Sequence, residues 1–205
     1  MHHGEKMRQI VKNEPNYFTS AKAKVALPKI KGAWSDKNIE KIRTQLREHI
    51  LLEEQNLLCA YCEKEIDDSS KNSNIDHFKT RNLFPELTLE YSNLLVSCNT
   101  NGRCSDYKDT HIKNREEYEN IINPIVENPN DFFDYLPTGE IIAKNEKGQF
   151  TIDIFQLNDT SLTQCRLQVM DSLEHLDNLS LEEIYGIFSD YHSFIANVYP
   201  KLKEL

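Results

Sequence analysis

Apolar residues recur at helical spacing in three stretches of the chain. Ile39, Ile42, Leu46 and Ile50 fall on one stripe of a predicted helix that Ser35 or Asp36 would cap and that runs to about Asn56. Leu162, Cys165, Val169, Leu173 and Leu176 form a second stripe, which makes Cys165 a core cysteine. The third begins at Ser180, with Glu183 as the other half of a capping box, and carries Ile184, Ile187, Phe188, Tyr191, Ile195 and Val198. Elsewhere the pattern is shorter. Residues 57–66 predict a small hairpin, 75–78 predict a short strand, 91–98 carry the run Asn93-Leu94-Leu95-Val96, and the polar run 67–74 is a loop. Ile141, Ile142 and Ala143, a turn at 145–148, and alternating Phe150, Ile152 and Ile154 predict a second hairpin. A helix is expected from Cys104 through Tyr118, and Pro124, Pro129 and Pro137 punctuate a linker.

These elements predict an α+β fold with three parts. Residues 1–34 form a basic arm, broken by Pro15, Pro28 and Gly32 and anchored by Trp34. Residues 35–120 form a central domain, and 121–205 an α+β region of hairpin and helices suited to binding a partner. At 205 residues, with 39% hydrophobic and 28% charged residues, the chain can bury a sizeable core. No apolar run approaches the roughly 20 residues that span a bilayer, and the opening MHHGEK lacks the apolar stretch of a secretory leader. A cytoplasmic protein is therefore expected, without membrane contact. His2 and His3 are assigned no role, since Met7 would serve equally as a start.

Charge divides the ends. Residues 6–47 carry 11 Lys/Arg against Glu14, Asp36 and Glu40, whereas 116–205 carry 5 against 17 acidic residues. The basic arm suits phosphates or a protein partner, and the acidic half suits protein.

Five cysteines in a cytoplasmic chain argue against disulfides. Cys59/Cys62 and Cys98/Cys104 make two local pairs, and four thiolates suit a closed tetrahedral structural Zn²⁺ site. The second pair is spaced more widely than CxxC, with Gly102 in the intervening loop.

Between the pairs lies Asp76-His77, followed by Asn93-Leu94; Ser105, Asp106 and Lys108 come after Cys104. In this order CAYC, IDHF, SNLLVSC and CSDYK resemble the HNH (ββα-metal) nuclease superfamily. Phosphodiester hydrolysis needs an activated water, and a neutral imidazole such as His77 is a suitable general base near pH 7. Asp76 offers a hard oxygen to Mg²⁺ or Mn²⁺. The resemblance implies that Asn93 holds the loop bearing the base. At the third motif position relatives often carry Asn or His; here Asp106 is the preferred second metal contact, with Asn99 or Ser105 as alternatives. Lys79, Arg81 and Lys108 are the expected nucleic-acid contacts.

The resemblance extends along most of the chain. MRQIVKNEP, LLEEQNLLCAYCEKEI, the stretch from Ile75 to Cys98 and IDIFQLNDTSLTQCR, ending at Arg166, resemble the PtuB family. These are HNH subunits of Septu anti-phage systems, also found with retrons, and they are paired with a PtuA-type ATPase. The resemblance implies a DNA-cleaving effector controlled by that ATPase. An RNA- or tRNA-cleaving effector and an inactive zinc-binding module are the alternatives.

Overall fold

The computed structural model describes residues 9–176 and 178–203; His2 and His3 lie outside them. The fold is mixed α and β, with two small antiparallel sheets among short helices. One continuous cluster of buried residues runs from Ile10 to Tyr199, so the arm, the centre and the C-terminal region share a core.

The arm is packed rather than extended. Helix α1 (Asn16–Lys22) buries Phe18 and Ala21, and Trp34 is buried in a following 3-10 turn. Lys12 reaches the Glu54 carboxylate at 2.5 Å and Asn13 N–H donates to the same group at 2.7 Å. Two of the arm's lysines are therefore matched within the protein, the second being Lys22 on Glu14 at 2.8 Å.

The long helix expected after Trp34 is interrupted. Asp36 caps α2 (Lys37–Glu40), accepting from Asn38 N–H. Then α3 (Arg43–His49) passes into a π-helical turn, Ile50–Glu54. Ile39, Leu46 and Ile50 are all completely buried, so the stripe read from the sequence is the packing face despite the breaks.

Strands β1 (Ser73–His77) and β2 (Leu94–Cys98) pair antiparallel, with Ser73 opposite Cys98 and His77 opposite Leu94. All five residues of β2 are buried, as expected of a strand covered on both faces. Helix α4 (Cys104–His111) follows and packs on β2. It stops well short of Tyr118, which belongs to a separate 3-10 turn.

The second predicted hairpin is a misreading. Strand β4 (Ile141–Ala143) pairs instead with β3 (Phe133–Tyr135), within what reads as a proline-punctuated linker. Phe150, Ile152 and Ile154 lie in α5 (Glu146–Phe155), whose Asn145 cap accepts from Gly148 N–H. Gly148, Thr151, Ile152 and Phe155 are buried at a helical period that the two-residue alternation masks, and Ile154 is buried beside them.

In α6 (Thr160–Leu173) the buried stripe is Leu162, Arg166, Met170 and Leu173; Cys165 is half-buried at its edge. Arg166 donates to Gly139 O at 2.5 Å and Leu157 O at 2.7 Å. Gly139, at φ 85°, lies so close to α6 that a Cβ would come within 2.3 Å of Thr163 O. The expected capping box opens α7 (Leu181–Ile187), but left-handed Tyr191 breaks the helix before α8 (His192–Leu202). No helix among the described residues is long and apolar enough to cross a membrane.

Candidate active site

Two sites flank β1 and β2. At the Cys98 end, a tight turn carries Cys59 and Cys62: Leu58 bridges Glu65, and Cys59 N–H donates to Lys64 O at 2.9 Å. Ala60 N–H reaches Val96 O at 3.0 Å and fixes the turn against β2. Cys104 opens α4 with a left-handed backbone (φ 52°), which turns its thiol back towards the others. The four sulfurs lie within 4.8 Å of one another and all four residues are buried. Cys59 and Cys104 Sγ are 3.9 Å apart, close to the ~3.8 Å edge of a tetrahedron with Zn–S of about 2.3 Å. This cluster can hold a metal ion such as zinc, and the all-sulfur donor set fits that ion. Cys98 N–H points at Cys59 Sγ, 3.3 Å away. Arg103, buried beside the cluster, is a residue the sequence reading missed. Burial alone would lower its pKa, but the sulfurs of Cys62, Cys98 and Cys104 outweigh this and raise it.

A cleft opens along β1 from Asn74 to His77, where the strand runs out. Asp76, His77, Arg81, Asn99, Ser105 and Asp106 line it, together with Lys31 from the arm and Asp109 from α4. Neighbouring strand residues point to opposite faces; here the strand ends, and both Asp76 and His77 reach the cleft wall.

His77 is buried, its Nε2 hydrogen-bonded to Thr88 O at 2.9 Å. A carbonyl only accepts, so Nε2 carries the proton and Nδ1 keeps the lone pair. The Trp34 ring meets the imidazole edge-on, with centroids 4.6 Å apart. Burial, reinforced by the Arg81 charge, lowers the His77 pKa to about 4, so the ring is neutral at pH 7.

Asn93 lies behind the cleft. Its Oδ1 accepts from Lys79 N–H at 2.8 Å, and its Nδ2 donates to Lys79 O at 3.0 Å and Leu87 O at 3.3 Å. It thus clasps the chain leaving His77. Arg81 faces the cleft, while the Lys79 ammonium sits 5.1 Å from the Phe84 ring centre.

Lys108 requires a correction. Its side chain is completely buried and cannot meet a nucleic acid. Its ammonium donates to Asp76 Oδ1 at 3.2 Å, His77 O at 2.9 Å and Phe78 O at 3.0 Å, clamping the end of β1 onto α4. Burial would lower its pKa, but Asp76 and Asp109 together raise it and keep it charged. The other Asp76 oxygen accepts from Tyr61 OH, and the Tyr61 ring stacks on Phe155 at 4.0 Å. Asp106 Oδ2 accepts from Gly102 N–H at 2.8 Å, beside the start of α4. Asp109 is half-exposed and lies 2.7 Å from Lys108 Nζ. Burial, then the Asp76 charge, raises its pKa to about 6. The sequence reading missed both Tyr61 and Asp109. The available signals were Tyr61's place between two cysteines and Asp109's place one helical turn after Ser105.

No family model matches the chain. The Septu protein PtuB of Bacillus thuringiensis is 38% identical to it over 111 residues. The chain is PtuB-like over that stretch. The match covers 53% of this chain and 39% of the Bacillus protein, so the chain spans well under half of that relative's length.

Proposed function

We propose that this chain is a metal-dependent HNH endonuclease that cleaves DNA as the effector of an anti-phage defence complex with a PtuA-type ATPase. The observation that carries the reading is His77: a neutral, buried imidazole, oriented by Thr88, beside Asp76 in an open cleft that also holds Lys31 and Arg81. The defence role and the partner rest on the similarity to PtuB.

In this reading His77 Nδ1 takes a proton from the attacking water, while Nε2–H on Thr88 O fixes the ring's tautomer and tilt. Lys31 and Arg81 draw the phosphate backbone into the cleft. Asn93 and Lys108 act at one remove: Asn93 sets the chain after the base, and Lys108 sets the Asp76 carboxylate. The cleft's hard donors, Asp76 with carboxylate and hydroxyl oxygens of α4, fit Mg²⁺ or Mn²⁺. Bound there, a divalent cation supplies charge neutralisation at the scissile phosphate and the leaving oxygen.

The test is incubation of the purified chain, alone and with its ATPase, with plasmid DNA and with total tRNA, in Mg²⁺ and in EDTA. The expected result is Mg²⁺-dependent DNA cleavage that falls about 10²–10⁴-fold in His77→Ala at unchanged zinc content. Cleavage of tRNA alone makes the chain an RNA-directed effector. If neither polymer is cut, or if His77→Ala cuts like the parent, a zinc-bearing binding module remains.

A further inference from the structure

We infer that Asp109, rather than Asp106, is the carboxylate that joins Asp76 in holding the divalent cation of the cleft; the inference rests on the endonuclease reading above. Ser105, one of the alternatives for the third motif position, offers only a single hydroxyl, a weak ligand beside a carboxylate. On an α-helix, residues four apart share a face. Asp109 therefore projects a carboxylate one turn along from Ser105, and both residues line the cleft with Asp76 and His77. Asp106, the immediate neighbour of Ser105, is rotated about 100° around the helix. Asp106 also lines the cleft, but its Oδ2 is engaged by the Gly102 amide of the loop between Cys98 and Cys104.

Lys108 fixes how close the two carboxylates are. Its Nζ lies 3.2 Å from Asp76 Oδ2 and 2.7 Å from Asp109 Oδ1, which puts these oxygens within about 6 Å of each other. Four oxygens surround that ammonium: those of Asp76, His77 O, Phe78 O and, nearest of all, Asp109 Oδ1. Asp109 Oδ2 takes no part in this contact, and the side chain is half-exposed, where water and a cation can arrive. His77, nine-tenths buried and with Nδ1 unprotonated on the same cleft, marks this as the place where a water would be engaged. Mg²⁺ and Mn²⁺ commonly use one or two protein carboxylates and keep several waters, so this pair suffices.

The experiment is a Mn²⁺ titration of the zinc-loaded full chain, with free Mn²⁺ read by electron paramagnetic resonance. The unaltered protein should bind one Mn²⁺. Asp109→Asn and Asp109→Ser should raise its Kd about tenfold or more at unchanged zinc content, either variant sufficing if folded. Asp109→Glu should recover binding, and Asp106→Asn should leave it unchanged. Loss of binding in Asp106→Asn with full binding in Asp109→Asn overturns the assignment and leaves the endonuclease reading intact. An unaltered chain that binds no Mn²⁺ and cuts DNA in EDTA overturns metal dependence along with it.

Discussion

The same five-residue strand pair supports two polar centres of opposite character. At the Cys98 end, four soft thiols converge, closed off from water, with backbone amides and Arg103 around them. The cleft alongside β1, from Asn74 to His77, presents hard oxygens and an imidazole to solvent. The closed centre has its ligands already assembled and needs an ion to justify their crowding. The open one is incomplete in the protein alone, and its carboxylates are held apart and neutralised by Lys108. The contrast separates an ion that makes the fold from an ion that would do chemistry on it.

The sharpest way to break the contrast is to remove the sulfur-bound ion. The chain should contain one zinc, and Cys104→Ser or strong chelation should abolish cooperative unfolding, since structural zinc contributes on the order of 10 kcal/mol in small domains. A metal-free protein that melts cooperatively at the parent temperature would make the thiols ordinary core residues. Next in size is Lys108→Met, which leaves the buried Asp76 carboxylate and two carbonyls without their cation; about 3–5 kcal/mol of stability should be lost in urea unfolding. A loss under 1 kcal/mol, about the median worth of a surface ion pair, would show that Lys108 is no clamp.

The smallest effect is a pH dependence. The His77 pKa is lowered in the folded state to about 4 from an ordinary 6.5, so the folded protein binds fewer protons between those values. Stability from this group is complete above pH 6.5, declines as pH falls towards 4 and levels off below. The amplitude is at most about 3 kcal/mol. Urea midpoints between pH 7 and 4.5 should fall more steeply for the parent than for His77→Gln; parallel slopes would mean the imidazole is not buried neutral.

Residue types and spacings made the closed centre legible, because thiolates in two local pairs have few other uses. The strand at 73–77, the Asp36 cap and the Ser180 box were legible for the same reason: each is a local rule. What was misread depends on contacts distant in sequence. Phe150, Ile152 and Ile154 alternate like a strand, and it is the Asn145 cap and the β3 partner that make this stretch helical. Arg166 fills a buried helix position because carbonyls at Gly139 and Leu157 await it, and periodicity cannot assign a cation to a core. Lys108 misled in the same way: lysines are ordinarily solvated, and nothing local reveals four oxygens gathered around this one.

Tyr61 has a consequence for inheritance. Its ring lies on Phe155 of α5 while its hydroxyl serves Asp76, so three positions spread across 95 residues of chain are committed to one another. Tyr61→Phe keeps the stack and deletes the bond, and Phe155→Leu does the reverse, so a lineage can loosen either tie separately. Among relatives, loss of the ring at 61 should therefore accompany loss of the ring at 155, whereas exchange of Tyr for Phe at 61 should be independent of 155; ring loss at one position without the other would show that the stack is no constraint.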